Sequence, residues 1–227
     1  MLPILAVLLG LAGLIAARQR RRRRLPARAA IVSPPRSTVI SSDGAVRSVH
    51  SAELTLPKEE LDRLWNAPNL ENLGRTYWRF LSRVTLGLIR VVYGANERRV
   101  MFLGRPFTLL RFNAPEYTLE SDRGTIKWQI QDGLLVSRSG RGCGFLGIDV
   151  KRLDDGEDGE DGGPPRVRIE VEVANFYPAI ASSFSTPVYE ATQSSIHVLV
   201  THAFLRSLAK LDLAHSKVGR LRGEPQP

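Results

Sequence analysis

From Arg99 to Val173 apolar and polar residues alternate with a period of two. In Thr125–Gln131, Ile126, Trp128 and Ile130 share one side, and Thr125, Lys127, Gln129 and Gln131 the other. In Arg166–Val173, Val167, Ile169, Val171 and Val173 oppose Arg166, Arg168, Glu170 and Glu172. Such alternation gives each strand one buried and one wet face, the mark of an antiparallel sheet. Further strands are expected at Val100–Leu103, Phe107–Phe112, Glu116–Glu120, Leu134–Arg138 and Gly144–Leu153. Turns are expected at Gly104-Arg-Pro106, Ser121-Asp-Arg-Gly124 and Gln131-Asp-Gly133. Asp154–Pro165, acidic and rich in glycine, reads as the tip of a hairpin. Continuous apolar strands separated by helices, as in a doubly wound parallel sheet, do not occur.

The pattern before and after this region is helical. His50–Leu56 alternates as a first strand, with Ala52, Leu54 and Leu56 on one side. Pro57, then Glu59 and Glu60, suit the opening of a helix carrying Leu61, Leu64 and Trp65. Asn66-Ala-Pro-Asn69 interrupts it. Tyr77, Phe80, Leu81, Val84, Leu88 and Val91 then fall on one helix face, although Val84–Val92 is β-branched enough for a strand. After the sheet, Thr186-Pro187 opens a long amphipathic helix. Ile196, Val200, Phe204 and Leu211 form its apolar stripe, flanked by Leu199 and Ala203. Ser195, His202 and Arg206 lie opposite. Gln193 and Ser207 join the apolar stripe, so two polar groups are expected to point toward the sheet and to need partners there.

The amino-terminal stretch follows a different rule. Met1–Ala17 has no charged side chain, and Arg18 and Arg20–Arg24 follow it. As a helix the run covers roughly 25 Å, the short end of a membrane span. A cleaved signal would carry its charge before the apolar run, not after it. Arginines after a span stay on the cytoplasmic side. Residues 1–17 are therefore expected to be a single-pass anchor in the cell membrane, with the rest of the chain cytoplasmic. Residues 18–46 are expected to be a basic linker rich in Pro, Ala and Ser, ending in a short strand near Thr38–Ile40. Residues 47–213 form an α+β domain and 214–227 a loose tail. The membrane is the expected partner, with anionic lipids as possible contacts for Arg18–Arg24.

Charge narrows the partners. The net charge is +9, but eight arginines and no acid fall in residues 1–36, which leaves +1 for residues 37–227. The globular part gives no electrostatic reason to expect nucleic acid. Cys143 is the sole cysteine, which excludes an intrachain disulfide and a cysteine-built metal site.

Candidate chemistry is sparse. Gly142-Cys-Gly144-Phe-Leu-Gly147 has the letters of a dinucleotide fingerprint, but Ile148–Arg152 continues as a strand where the motif needs a helix. Arg138 and Arg141 beside it are a candidate pair for gripping a phosphate. The acidic loop fails as a calcium loop, because Gly156 or Gly159 falls where a ligand oxygen is required. His50, His197, His202 and His215 show no metal-binding spacing, and no GxSxG elbow occurs. No cofactor or metal is expected.

The order of elements is strand, two helical segments, a run of antiparallel strands, then one long carboxy-terminal amphipathic helix. Over about residues 47–213 this resembles the helix-grip arrangement of the START and Bet v 1-like superfamily. The resemblance implies a curved sheet gripping the last helix, with an apolar cavity between them. The reading adopted is a membrane-tethered cytoplasmic domain that binds a hydrophobic small molecule or lipid in that cavity. Trp128, Tyr117, Gln193 and Phe204 are its expected lining residues. Two alternatives stay open: an enzyme on the same scaffold, for which Glu116, Asp149 and His197 are the nearest titratable candidates, and a scaffold protein with a filled core. The pattern specifies no oligomeric state.

Overall fold

The computed structural model describes residues 26–32, 37–103, 107–153, 164–179 and 195–214. The expected anchor, the 104–106 turn, most of the acidic loop, Thr186-Pro187 and Gln193 lie outside them. None of the described helices is long and apolar enough to cross a membrane.

The core strand is β3 (Val46–Thr55), whose Val46, Ser48, His50, Ala52 and Leu54 point inward. Two short strands, β1 (Arg28–Ile31) and β2 (Thr38–Ile40), pair with its outer edge at opposite ends. The second is the short strand expected near Thr38–Ile40, and the first lies in the stretch expected to be linker. Ala29 and Ile31 pack against the core, an alternation too short to stand out among the neighbouring prolines. Along the chain then come β4 (Ile89–Tyr93), β5 (Glu97–Phe102), β6 (Thr108–Asn113), β7 (Glu116–Leu119), β8 (Arg123–Asp132), β9 (Phe145–Leu153) and β10 (Arg166–Phe176). The sheet is antiparallel throughout, in the order β1-β3-β10-β9-β8-β6-β5-β4, and β7 also pairs with β8. Leu153 sits opposite Arg166, so β9 and β10 form the expected hairpin.

The sheet forks at β8. Its first half pairs with β7 and its last residues pair with β6 through a register shift. Gly133 lets β6 come this close. Its φ is +140°, and a Cβ there would lie 2.2 Å from the Leu109 carbonyl oxygen. The turn after Gly133 also corrects one expectation. Leu134–Arg138 is not a strand: Val136 makes one isolated bridge to Pro178, and Ser137 caps a 3-10 turn over Arg138–Gly140. Its alternating residues follow the turn rather than a neighbouring strand.

The wet face carries paired charges. Arg168 reaches Glu53 at 2.7 Å, Arg47 reaches Glu172 at 2.7 Å and Arg123 reaches Asp149 at 2.7 Å. Exposed pairs of this kind contribute about 0–1 kcal/mol each. The inward face carries the stability. Ile126, Trp128, Ile130, Ile148 and Val171 are all buried there.

Helices α1 (Lys58–Leu64) and α2 (Ala67–Val84) cover that face. The interruption expected at Asn66–Asn69 is the start of α2: the Asn66 side chain accepts from the Asn69 N–H at 2.9 Å, and Pro68 sits in the first turn. The helix stops after Val84. Thr85 Oγ1 donates to the Leu81 carbonyl at 2.9 Å and accepts from the Ile89 N–H at 3.2 Å, and Gly87 takes φ +80°. Leu88 and Val91 therefore lie beyond the helix. The last helix, α3 (Ser195–Ser207), buries Val200, Thr201, Phe204 and Leu205 and runs into a 3-10 turn, Leu208–Lys210. Leu211 lies past this turn, off the expected stripe. The segment after this turn is pinned to α2, because Thr76 Oγ1 accepts from the Ala214 N–H at 2.8 Å. A strand, two helices, the antiparallel strands and a closing helix are the helix-grip order expected from the sequence.

Gly74 sets the distance between α2 and the sheet, since a Cβ there would lie 2.9 Å from the Trp128 ring. Gly74→Val is expected to lower folding stability by about 2 kcal/mol through overpacking, measured by urea denaturation, despite the better helix propensity of valine.

Candidate functional site

A cavity of about 380 Å³ lies between the inward face of the sheet and the two long helices. Helix α2 supplies Tyr77, Trp78 and Leu81, and α3 supplies Val200. The forked half of the sheet supplies Ile89, Val100, Phe102, Leu109, Leu110, Phe112 and Ile130, with Leu135 from the turn. The other half supplies Val46, Leu146, Val173 and Phe176, together with Thr38 and Ser48. The volume falls in the usual range for small-molecule sites, which are mostly apolar with a few placed polar groups. A second gap, of about 90 Å³, lies under α1 among leucines and is a packing defect by its size.

The polar groups gather at one end. Thr38 and Ser48 are direct cross-strand partners, and their hydroxyls are 2.9 Å apart in a hydrogen bond. Ser48 Oγ is also 3.2 Å from His50 Nε2. The His50 ring meets the His202 ring edge-on, with centroids 4.9 Å apart. Burial pushes His50 down from its ordinary 6.5 to about 4, and His202 adds to the shift. Burial also lowers His202, with Arg206 adding to it. The imidazole of His50 is thus neutral at pH 7 and serves as a hydrogen-bond partner.

The aromatic wall has two layers. Tyr77 and Trp78 line the cavity. Burial pushes the Tyr77 phenol up to about 12, an effect partly offset by the nearby Thr201 hydroxyl. The Trp78 Nε1–H is buried without an acceptor, as is that of Trp128.

The expected site residues separate. Trp128 is buried behind Trp78, with ring centroids 5.3 Å apart. Phe204 is fully buried against Tyr77 at 5.2 Å and Phe80 at 6.4 Å. Both back the lining rather than form it. Tyr117 sits on β7, close to Arg98 and Tyr93, in a separate cluster where Arg98 and Arg75 also lie over the Tyr93 ring. Ser207 donates to the Phe204 carbonyl at 2.7 Å, which satisfies it within its own helix. Glu116 is exposed, and Asp149 pairs with Arg123 on the wet face. Gly142–Gly147 leads into β9 and opens no helix, which leaves the dinucleotide fingerprint without its structural context. Among the described residues no three metal-ligating side chains converge.

The polar end was within reach of the alternation. Ser48 and His50 share the inward side with Ala52 and Leu54, and the strand begins four residues before His50. The lining from β4 to β6 was not, since it depends on the fork.

One rim of the cavity is apolar and exposed. Leu86 is 91% exposed and Leu103 is 67% exposed, and both take φ +52°. The Leu103 N–H donates to the Leu88 carbonyl at 2.8 Å, which joins the two loops. Leu88, Phe102 and Phe107 extend the same rim.

No family model matches the chain, and no curated protein matches it. Several solved structures do align. Norcoclaurine synthase from Thalictrum flavum, in complex with dopamine and hydroxybenzaldehyde, is 11% identical. The alignment covers 76% of this chain and 87% of that one, with a TM-score of 0.31. A protein from Arthrobacter aurescens, solved by NMR, is 13% identical over 80% of this chain and 95% of its own, with a TM-score of 0.35. Human STARD10 is 10% identical over 77% of this chain and 72% of its own, with a TM-score of 0.30. With overlaps this loose, the START and Bet v 1-like likeness rests on the strand order and the closing helix.

The low His50 value carries a sign. A histidine held below its ordinary value adds stability above pH 6.5, and that stability is lost as pH falls from 6.5 toward about 4. The melting temperature is therefore expected to drop between pH 7 and pH 5. In His50→Gln the slope over that range is expected to flatten, leaving the smaller part due to His202, as read by calorimetry at several pH values.

Proposed function

We propose that the chain is a membrane-tethered domain, cytoplasmic in orientation, that binds a hydrophobic small molecule or lipid between its sheet and its helices. The cavity of about 380 Å³, walled by aliphatic and aromatic side chains, carries this reading. A hollow of this size left empty forfeits packing energy at about 24 cal/mol per Å³, so a sequence that keeps it open favours an occupant. The tether rests on Met1–Ala17 and the arginines after it. The rim of Leu86, Leu88, Leu103 and Phe107 suits a domain held against lipid, because large exposed apolar patches mark interaction surfaces.

The enzyme alternative would look to Ser48 and His50, a hydroxyl beside an imidazole. A histidine pushed down to about 4 is a weak general base near neutral pH, which favours binding over catalysis.

Native mass spectrometry of the full chain, with organic extraction of the same sample, tests the reading. A co-purifying apolar molecule is expected. Leu135→Trp, which projects a larger ring into the cavity from a half-buried turn, is expected to lower its occupancy more than tenfold on the order of one full side-chain volume lost. A wild-type protein that is always empty, and takes up no apolar probe, would sink the proposal. The orientation has its own check. A reporter fused after Pro227 is expected to be active in the cytoplasm, and activity confined to the outside would overturn it.

A further inference from the structure

We propose that the occupant is an uncharged, single-chain or small-ring amphiphile whose one polar end, a hydroxyl or carbonyl, is held by Ser48 and Thr38. This inference rests on the cavity-binding reading above. It follows from three observations about that cavity.

The first is size. At the ~30 Å³ that a water takes in the liquid, about 380 Å³ holds roughly a dozen heavy atoms. Two-chain phospholipids are several times larger than that.

The second is the placement of polarity. The lining hydroxyls of Thr38 and Ser48 lie side by side at one end, joined at 2.9 Å. Most of the other walls are aliphatic or aromatic. A ligand with one polar terminus and an apolar body matches this arrangement. Each hydroxyl has one proton and two lone pairs, so the chain from Thr38 through Ser48 to His50 can turn either a donor or an acceptor toward the ligand. A hydroxyl or a carbonyl would both be satisfied.

The third is charge. Among the described residues no charged side chain lines the cavity. The nearest basic group behind the polar end is His50, and it is held neutral by its burial and by the His202 ring against it. A carboxylate or phosphate would enter without a counter-charge, and an unpaired buried ion is strongly disfavoured. The polar end thus selects against the anionic relatives of its own ligand.

Matched probes decide the matter. The full chain is titrated calorimetrically at pH 7.5 with 1-decanol and with decanoate, which share a chain length near the cavity's capacity. Decanol is expected to bind more than about tenfold tighter. Ser48→Ala is expected to weaken decanol about three- to tenfold, the worth of one hydrogen bond, and to leave decanoate unchanged. Thr38→Val, on a half-buried edge strand, is expected to act in the same direction, and it carries the test if Ser48→Ala lowers the melting temperature enough to obscure binding. Decanoate binding as tightly as decanol overturns the inference while leaving the cavity reading intact. So does a decanol affinity indifferent to both substitutions. If neither probe binds and the extracted protein is also empty, the cavity reading falls and this inference falls with it.

Discussion

Everything about this domain depends on how near α2 can lie to the sheet. At Gly74 there is no side chain, and the helix rests directly on the Trp128 ring. Within the next turn Tyr77 and Trp78 stand between helix and sheet. The rings of Trp78, Trp128, Phe112 and Tyr77 meet at 5.2 to 5.4 Å, in edge-on or tilted contacts. Such contacts add about 0.5–1.5 kcal/mol each beyond the area they bury. They make one end of the interface solid. Tyr77 and Trp78 also wall the hollow, so the same rings serve both the close contact and the cavity.

The fork in the sheet completes the enclosure. A single flat sheet would present one face and no pocket. Here β8 hands its partner over from β7 to β6, and the strands beyond it turn the inward face around the hollow. Gly133 permits the handover by letting the backbone approach the Leu109 carbonyl. At the opposite edge β1 and β2 together cover β3, so the strand with the most inward polar groups is not an open edge. Unprotected edges invite pairing with other chains. Of the two, β2 places Thr38 beside Ser48, so part of the edge protection also builds the polar end of the cavity.

The alternation made most of the architecture legible. Ile126, Trp128 and Ile130 pointed inward as their spacing required, and so did Val167, Ile169 and Val171. Long-range geometry was not legible. Trp128 and Phe204 were sound choices for the buried face, yet burial does not distinguish a wall from the layer behind it. That distinction depends on Gly74 and on the breadth of Trp78. Tyr117 was placed on the right sheet but on the strand that the fork leads away from the hollow. Ser48 was overlooked because alternation was read only from His50 onward, and its pairing with Thr38 crosses a turn rich in small polar residues.

The early start of the folded chain has a mechanical consequence. Strand β1 begins at Arg28, only four residues after the last arginine of the basic run, Arg24. From Ala17, where the proposed anchor ends, ten residues (Arg18–Ala27) lead to β1, and ten residues of extended chain reach no more than ~36 Å. With Met1–Ala17 seated in a bilayer as proposed, that length would cap how far the domain can stand from the lipid surface, so an apolar molecule leaving the bilayer would meet the cavity at a raised effective concentration.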